Sequence, residues 1–246
     1  MDPTDDARER IAQGIGGSPW ARPGGIAGTT HFGETVRDRV TRELRHRILL
    51  GSLAEGTRVD MDALAAEFGT SRTPVREAIL ELANDKLVLL APRSGVTVIG
   101  ITDMDLLDNF ELMASLAGMA AGWAAERATE QDVRRISELR DAVVNASSID
   151  GNIALANFEF HRSVNQASHS PRLMSLIAQT ARLFPERFSD VVPSQVPCSL
   201  REHADLVEAL ESHDRTAART LMEAHFHDAA VRLREHLSLP EPFADS

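Results

Sequence analysis

Residues 69–78 read Gly69-Thr70-Ser71-Arg72-Thr73-Pro74-Val75-Arg76-Glu77-Ala78, and that order of residue types predicts a tight turn running directly into a helix. Gly69-Thr70 makes the turn, and the Ser71 hydroxyl is placed to cap the helix start. Pro74 falls in the first turn, where its missing N–H costs nothing. Val75, Ile79, Leu80 and Leu82-Ala83 then recur at helical spacing. Arg72 and Arg76 are four apart, so both project from one face. A helix that enters the DNA major groove by its N-terminal end presents such side chains to base edges and phosphates. Each guanidinium can grip guanine O6/N7 bidentately or clamp a phosphate. Ser71, Thr73 and the unpaired N–H groups of the first turn can donate to phosphate.

The flanks agree with that reading. Upstream, Val36, Val40, Leu44, Ile48 and Leu49 predict a helix that Gly51 ends, and a short helix follows at Asp60–Phe68. Downstream, Leu87–Leu90, the turn Pro92-Arg93-Ser94-Gly95 and Val96-Thr97-Val98 predict a β-hairpin whose tip, Arg93 to Gly95, can enter the minor groove as a wing. Two arginines on a solvated helix would mean little alone; turn, cap and hairpin pointing one way select DNA reading. Residues 31–100 are therefore expected to form a winged helix-turn-helix. Residues 1–30, with a Gly- and Pro-rich run from 11 onward, are expected to be a disordered arm. After Gly100 the period is helical throughout, predicting helices near 103–127, 130–147, 150–168, 171–189, 199–212 and 214–237. Their expected starts are Thr102-Asp103, Thr129, Ser148, Ser170, Ser199 and Asp214. The expected fold is mainly α: an N-terminal winged helix-turn-helix and, over 101–240, an all-helical bundle.

A net charge of −11 argues against DNA until it is divided along the chain. Residues 31–100 hold ten basic and ten acidic residues, whereas 101–246 hold thirteen basic and twenty-three acidic ones. The acidic part would be repelled by phosphates and should face away from DNA, which argues against a purely architectural DNA protein and for two jobs in two domains. No stretch approaches the roughly 18 apolar residues of a membrane span. The first residues, Met1–Arg10, are acidic and polar, which points to a cytoplasmic protein with no secretory signal. Cys198 is the single cysteine, which excludes an internal disulfide and a four-cysteine zinc site.

The helical half carries a second constellation. Asn157 and His161 are four apart on one helical face, the spacing that lets two ligands meet one ion. His203 and His225 follow on two later helices beside apolar stripes, and bundle cores assembled from several helices can hold metals. Arg182 and Arg187 can pair with an anionic effector through their guanidinium forks, or form salt bridges on a solvated face. A metallohydrolase with a DNA-binding appendage is the alternative. It lacks a well-placed base: Glu159 is on the wrong face from His161, Glu202 is adjacent to His203, and no His-Glu-x-x-His motif occurs.

Residues 34–98 resemble the DNA-binding domain of the GntR family through ILLGSLAEGTRV, LAAEFGTSRTPVREAILEL and LVLLAPRSGVTV. The resemblance implies DNA-contacting roles for Ser71, Arg72, Thr73, Arg76 and Gly95. It departs at Glu55-Gly56, where many members have Pro-Gly. FELMASLAGMAAGWAAERAT, NFEFHRSVNQASHSPRL, SLREHADLVEAL and LMEAHFHDAAVRL are similar to the all-helical FCD effector domain of the FadR subfamily, nearest its VanR branch. That similarity implies a ligand-responsive regulator, a repressor released from its operator by a small organic acid. It also implies a divalent metal (zinc, nickel or manganese) held by Asp-x-x-x-His and two later histidines. Here Asn157 replaces the acid, a neutral and weaker donor, and three histidines leave positions open for a ligand carboxylate. Met113 stands near the position where some members carry an effector-binding arginine. A winged helix reads only a half-site, so a homodimer on double-stranded DNA is expected.

Overall fold

The computed structural model describes residues 35–49, 51–91, 95–148, 152–183 and 192–236; the expected arm over 1–30, Arg93 and Arg187 lie outside them. The first domain comprises α1 (Val36–Leu49), β1 (Arg58–Val59), α2 (Met61–Glu67), α3 (Arg72–Asn84), β2 (Val88–Ala91) and β3 (Gly95–Val98). Val40, Leu44 and Ile48 come round one face of α1 and pack with Val75, Ala78, Ile79 and Leu82 of α3 in one core. Asp60 starts α2, its carboxylate accepting from the N–H groups of Asp62 and Ala63 at 2.8 and 3.2 Å. The wing is a three-stranded antiparallel sheet of order β1-β3-β2, with Val96 facing Val59 on one side and Leu90 on the other. The hairpin is as expected. The third strand, two residues long, is too short to leave an alternation in sequence.

The second domain comprises α4 (Asp103–Arg127), α5 (Glu130–Ser148), α6 (Ile153–Ala167) and α7 (Pro171–Thr180), which tightens into a 3₁₀ turn (Ala181–Leu183). A second 3₁₀ turn (Pro193–Gln195) leads into α8 (Val196–Glu211), and α9 (Arg215–His236) follows. Thr102 and Asp105 form a reciprocal capping box at the start of α4. Thr129 and Asp132 repeat that arrangement ahead of α5. The Ser170 hydroxyl caps α7 and the Asp214 carboxylate caps α9, both as expected. Two starts differ from expectation. Ser148 belongs to α5, and Asn152 caps α6 instead, accepting from the Leu155 N–H at 3.0 Å. The eighth helix starts at Val196, ahead of Ser199, because Pro197 fits the first turn without an N–H to satisfy.

From Leu116 to Ala125 α4 has no exposed residue, and the small residues Ala114, Ala117, Gly118, Ala121 and Ala125 let α9 lie close against it. A Cβ at Gly118 would strike the Glu223 side chain. Each domain has its own apolar core, and Leu49 and Ile101 pack against both. Leu183, at the end of the first 3₁₀ turn, packs against the core of the first domain. The helical domain therefore touches its neighbour through side chains as well as through the chain connection at 99–102.

Candidate functional site

The helix-turn-helix forms because Gly69 adopts φ +61°, a left-handed conformation at the end of α2 that glycine takes without steric cost. The turn is closed by the Thr70 N–H donating to the Ala65 carbonyl at 2.9 Å. Ser71 occupies the cap position of α3, but its hydroxyl makes no capping hydrogen bond. Val75, Ala78, Ile79 and Leu82 are buried, so Ser71, Arg72, Thr73 and Arg76 are turned outward together. Arg72 Nε lies 3.0 Å from Asp62 Oδ1, with both side chains about two-thirds exposed. An ion pair so exposed holds little energy and can be exchanged for a phosphate. Gly95 opens β3 at φ +86° and is exposed.

The helical domain brings together three side chains that are far apart in sequence. His161 comes from α6, His203 from α8 and His225 from α9, and all are buried, at 2%, 1% and 7% exposure. Their ring centroids form a nearly equilateral triangle: 4.9 Å from 161 to 203, 4.8 Å from 161 to 225 and 5.0 Å from 203 to 225. One potential ligand atom from each lies within 4.8 Å of the other two. Phe160 stacks on His203 at 4.2 Å, closing the apolar wall behind it.

Burial, and then the neighbouring His225, hold His161 well below the ordinary imidazole range. Burial, then His161 and His225, do the same for His203. Both are therefore neutral at neutral pH, the form that donates a lone pair to a metal. His203 is the sharpest test of fit: among the described residues neither of its buried ring nitrogens has a hydrogen-bond partner. An orphaned imidazole in a core is costly, and a cation could take the lone pair of one of its nitrogens. His225 Nδ1 lies 2.6 Å from Glu202 Oε2, which leaves Nε2 as its available ligand atom. A carboxylate behind a ligating histidine orients the ring and raises its basicity. By sequence spacing Glu202 is only a misplaced base beside His203; across the fold its carboxylate lies against His225. Glu202→Gln is expected to weaken divalent-metal affinity about 10- to 100-fold, measured by competition with a chromophoric chelator. Asn157 precedes His161 by one helical turn and is half-buried.

The arginines expected to meet an effector are placed otherwise. Arg187 lies outside the described residues. Arg182 sits in the first 3₁₀ turn, 3.1 Å from Asp85 and 3.3 Å from Glu81, carboxylates that belong to the first domain. Met113 is fully buried in the helical core.

Residues 36–98 match the family described as bacterial regulatory proteins, gntR family, and residues 108–228 match the FCD domain. The HTH-type transcriptional regulator McbR of Escherichia coli (strain K12) is 28% identical over 187 residues, 74% of this chain and 85% of the relative. The gluconate operon transcriptional repressor of Bacillus subtilis (strain 168) is 26% identical over 212 residues, covering 80% and 84%. The galactonate operon transcriptional repressor of Escherichia coli (strain K12) is 27% identical over 222 residues, covering 80% and 96%. Among solved structures, E. coli McbR/YncC is similar in fold at a TM-score of 0.60 and 24% identity, covering 82% of this chain and 98% of that one. The chain belongs to the GntR family of bacterial regulatory proteins and carries an FCD domain. It is a DNA-binding transcriptional regulator of the ligand-responsive kind. The metallohydrolase alternative finds no support: the relatives named here are regulators, and Glu202 is engaged with His225. Among the described residues, no helix is long and apolar enough to cross a membrane.

Proposed function

We propose that the chain is a homodimeric, cytoplasmic repressor that leaves its operator when a small carboxylate binds beside the histidine cluster of the helical domain. Ser71, Arg72, Thr73 and Arg76, with the wing residues Arg93 and Gly95, read the DNA. His161, His203 and His225 hold a divalent ion, with Asn157 as a weak fourth donor. The observation that carries the reading is the buried His203, whose two ring nitrogens lack hydrogen-bond partners among the described residues, within a triangle of buried histidines. An ion there would supply a Lewis-acid docking point for an anion. Three imidazole donors suit zinc or nickel better than manganese, which favours oxygen ligands. The gluconate and galactonate operon repressors support the repressing sign, and both operons are named for organic acids.

Replacing His161, His203 and His225 together by alanine is expected to remove the co-purifying metal. Elemental analysis of the intact wild-type and variant proteins reads this directly. Equal metal content in both would sink the site. A two-fold operator with half-sites about one helical turn, or a multiple of it, apart is the expected footprint of the dimer.

A further inference from the structure

The C-terminal end of α3 carries two acids one turn apart, Glu81 and Asp85. On their own they are a poor choice. Like charges at i, i+4 repel, and both sit at the negative end of the helix dipole. The structure gives them two arginines. Arg45 of α1 donates to Asp85 at 2.6 Å and lies 3.8 Å from Glu81. Arg182, from the helical domain, donates to Asp85 at 3.1 Å and lies 3.3 Å from Glu81. The Arg45 and Asp85 side chains are only 4% and 3% exposed, so that pair is cut off from water, while Arg182 and Glu81 lie at its edge, 28% and 19% exposed. Among these four directly paired side chains, the two anions are matched by two cations when the helical domain contributes its arginine. Arg37 also acts on Glu81 through charge but is itself paired with Asp38, so without Arg182 the two carboxylates share Arg45 as their direct partner, a costlier state than a broken surface ion pair.

We propose that Arg182 is an interdomain latch that holds the back of the recognition helix, and that the state of the histidine cluster reaches DNA through it. Leu183, the next residue, packs its side chain on the core of the first domain, so an apolar contact accompanies the ionic one. The chain from cluster to latch is short. α6 carries His161 and ends at Ser168, a fully buried residue whose hydroxyl donates to the Asn165 carbonyl at 2.6 Å. Arg127, closing α4, holds the Ser168 carbonyl at 3.1 Å. α7 begins three residues later at Pro171 and leads into the turn that presents Arg182. A change in the set of α6 around an occupied cluster would thus move α7, and the made or broken Arg182 contact is the two-state element that coupling requires. The coupling rests on the metal reading above; the latch itself does not.

Hydrogen exchange read by mass spectrometry on the full chain tests both parts, without and with zinc chloride. In zinc-free protein, Arg182→Ala is expected to speed exchange at residues 79–88 about tenfold while α8 and α9 keep their wild-type rates. Adding Glu81→Arg to Arg182→Glu restores an opposite-charge pair and is expected to recover protection. An Arg182→Ala protein that exchanges like wild type, or a double variant that recovers nothing, overturns the latch. Zinc is expected to alter exchange at residues 79–88 in wild type and not in Arg182→Ala. A wild-type segment indifferent to bound zinc, or an equal response in both proteins, overturns the coupling. If zinc fails to bind, the metal reading and the coupling fall together, and the zinc-free comparison still decides the latch.

Discussion

Changing Arg72 and Arg76 together to alanine is expected to abolish specific operator binding and to leave the protein folded. Both side chains are exposed on the outer face of α3, while the inner face is carried by Val75, Ala78, Ile79 and Leu82. The ion pair of Arg72 with Asp62 is exposed on both sides, so its loss should alter stability by no more than about 0.5 kcal/mol. Its loss from the groove is another matter. Each guanidinium that grips a guanine edge contributes about 1–3 kcal/mol of discrimination. Removing both therefore costs on the order of 2–6 kcal/mol, enough to reduce specific binding to the salt-sensitive background. Anisotropy titrations on duplexes selected from a random library by the wild-type chain measure the loss, and circular dichroism checks the fold. Specific binding that survives the double change would mean that another element reads the sequence.

Acidification is the second large effect. His161 and His203 have folded-state pKa values well below the ordinary 6.5 because burial disfavours the imidazolium, and neighbouring histidines add to it. Above pH 6.5 both folded and unfolded chains hold these rings neutral, and nothing is lost. Below it, the unfolded chain takes up protons that the folded chain refuses, so stability falls as pH falls. The slope is up to about 1.4 kcal/mol per pH unit for each ring, until the depressed folded values are reached. Bound metal steepens the dependence, since protons compete for the same lone pairs. Thermal melts of the metal-free chain between pH 7.5 and 5 should show the midpoint dropping steadily below about pH 6.5. In His203→Phe the slope should shrink. A midpoint that rises on acidification would contradict the burial of neutral histidines.

The DNA-reading half was legible because its signals are local. Gly69 at a left-handed turn, Ser71 at the cap position, Pro74 in the first turn and the spacing of Val75, Ile79 and Leu82 all lie within one stretch, and each has a single geometric meaning. The short strand Arg58–Val59 was not legible, since two residues carry no period and its existence depends on β3 being beside it. In the helical half, the spacing of Asn157 and His161 placed them on one face. That His203 and His225 complete a triangle with His161 follows only from how α6, α8 and α9 pack.

Sequence alone therefore determined the two-domain plan, the outward face of the recognition helix and the identity of the three histidines, because turns, caps and helical period act over a few residues. Tertiary structure decided the rest: the mutual distances of those histidines, the service of Glu202 to His225 across 23 positions, and the partners of Arg182. Read along the chain, Arg182 is a cation awaiting an anion, and an effector carboxylate was as good a candidate as any. Its anions turn out to be Glu81 and Asp85, nearly a hundred residues away. Charge attracts through space without regard to sequence separation, so which opposite charges meet is settled only when the domains are packed together.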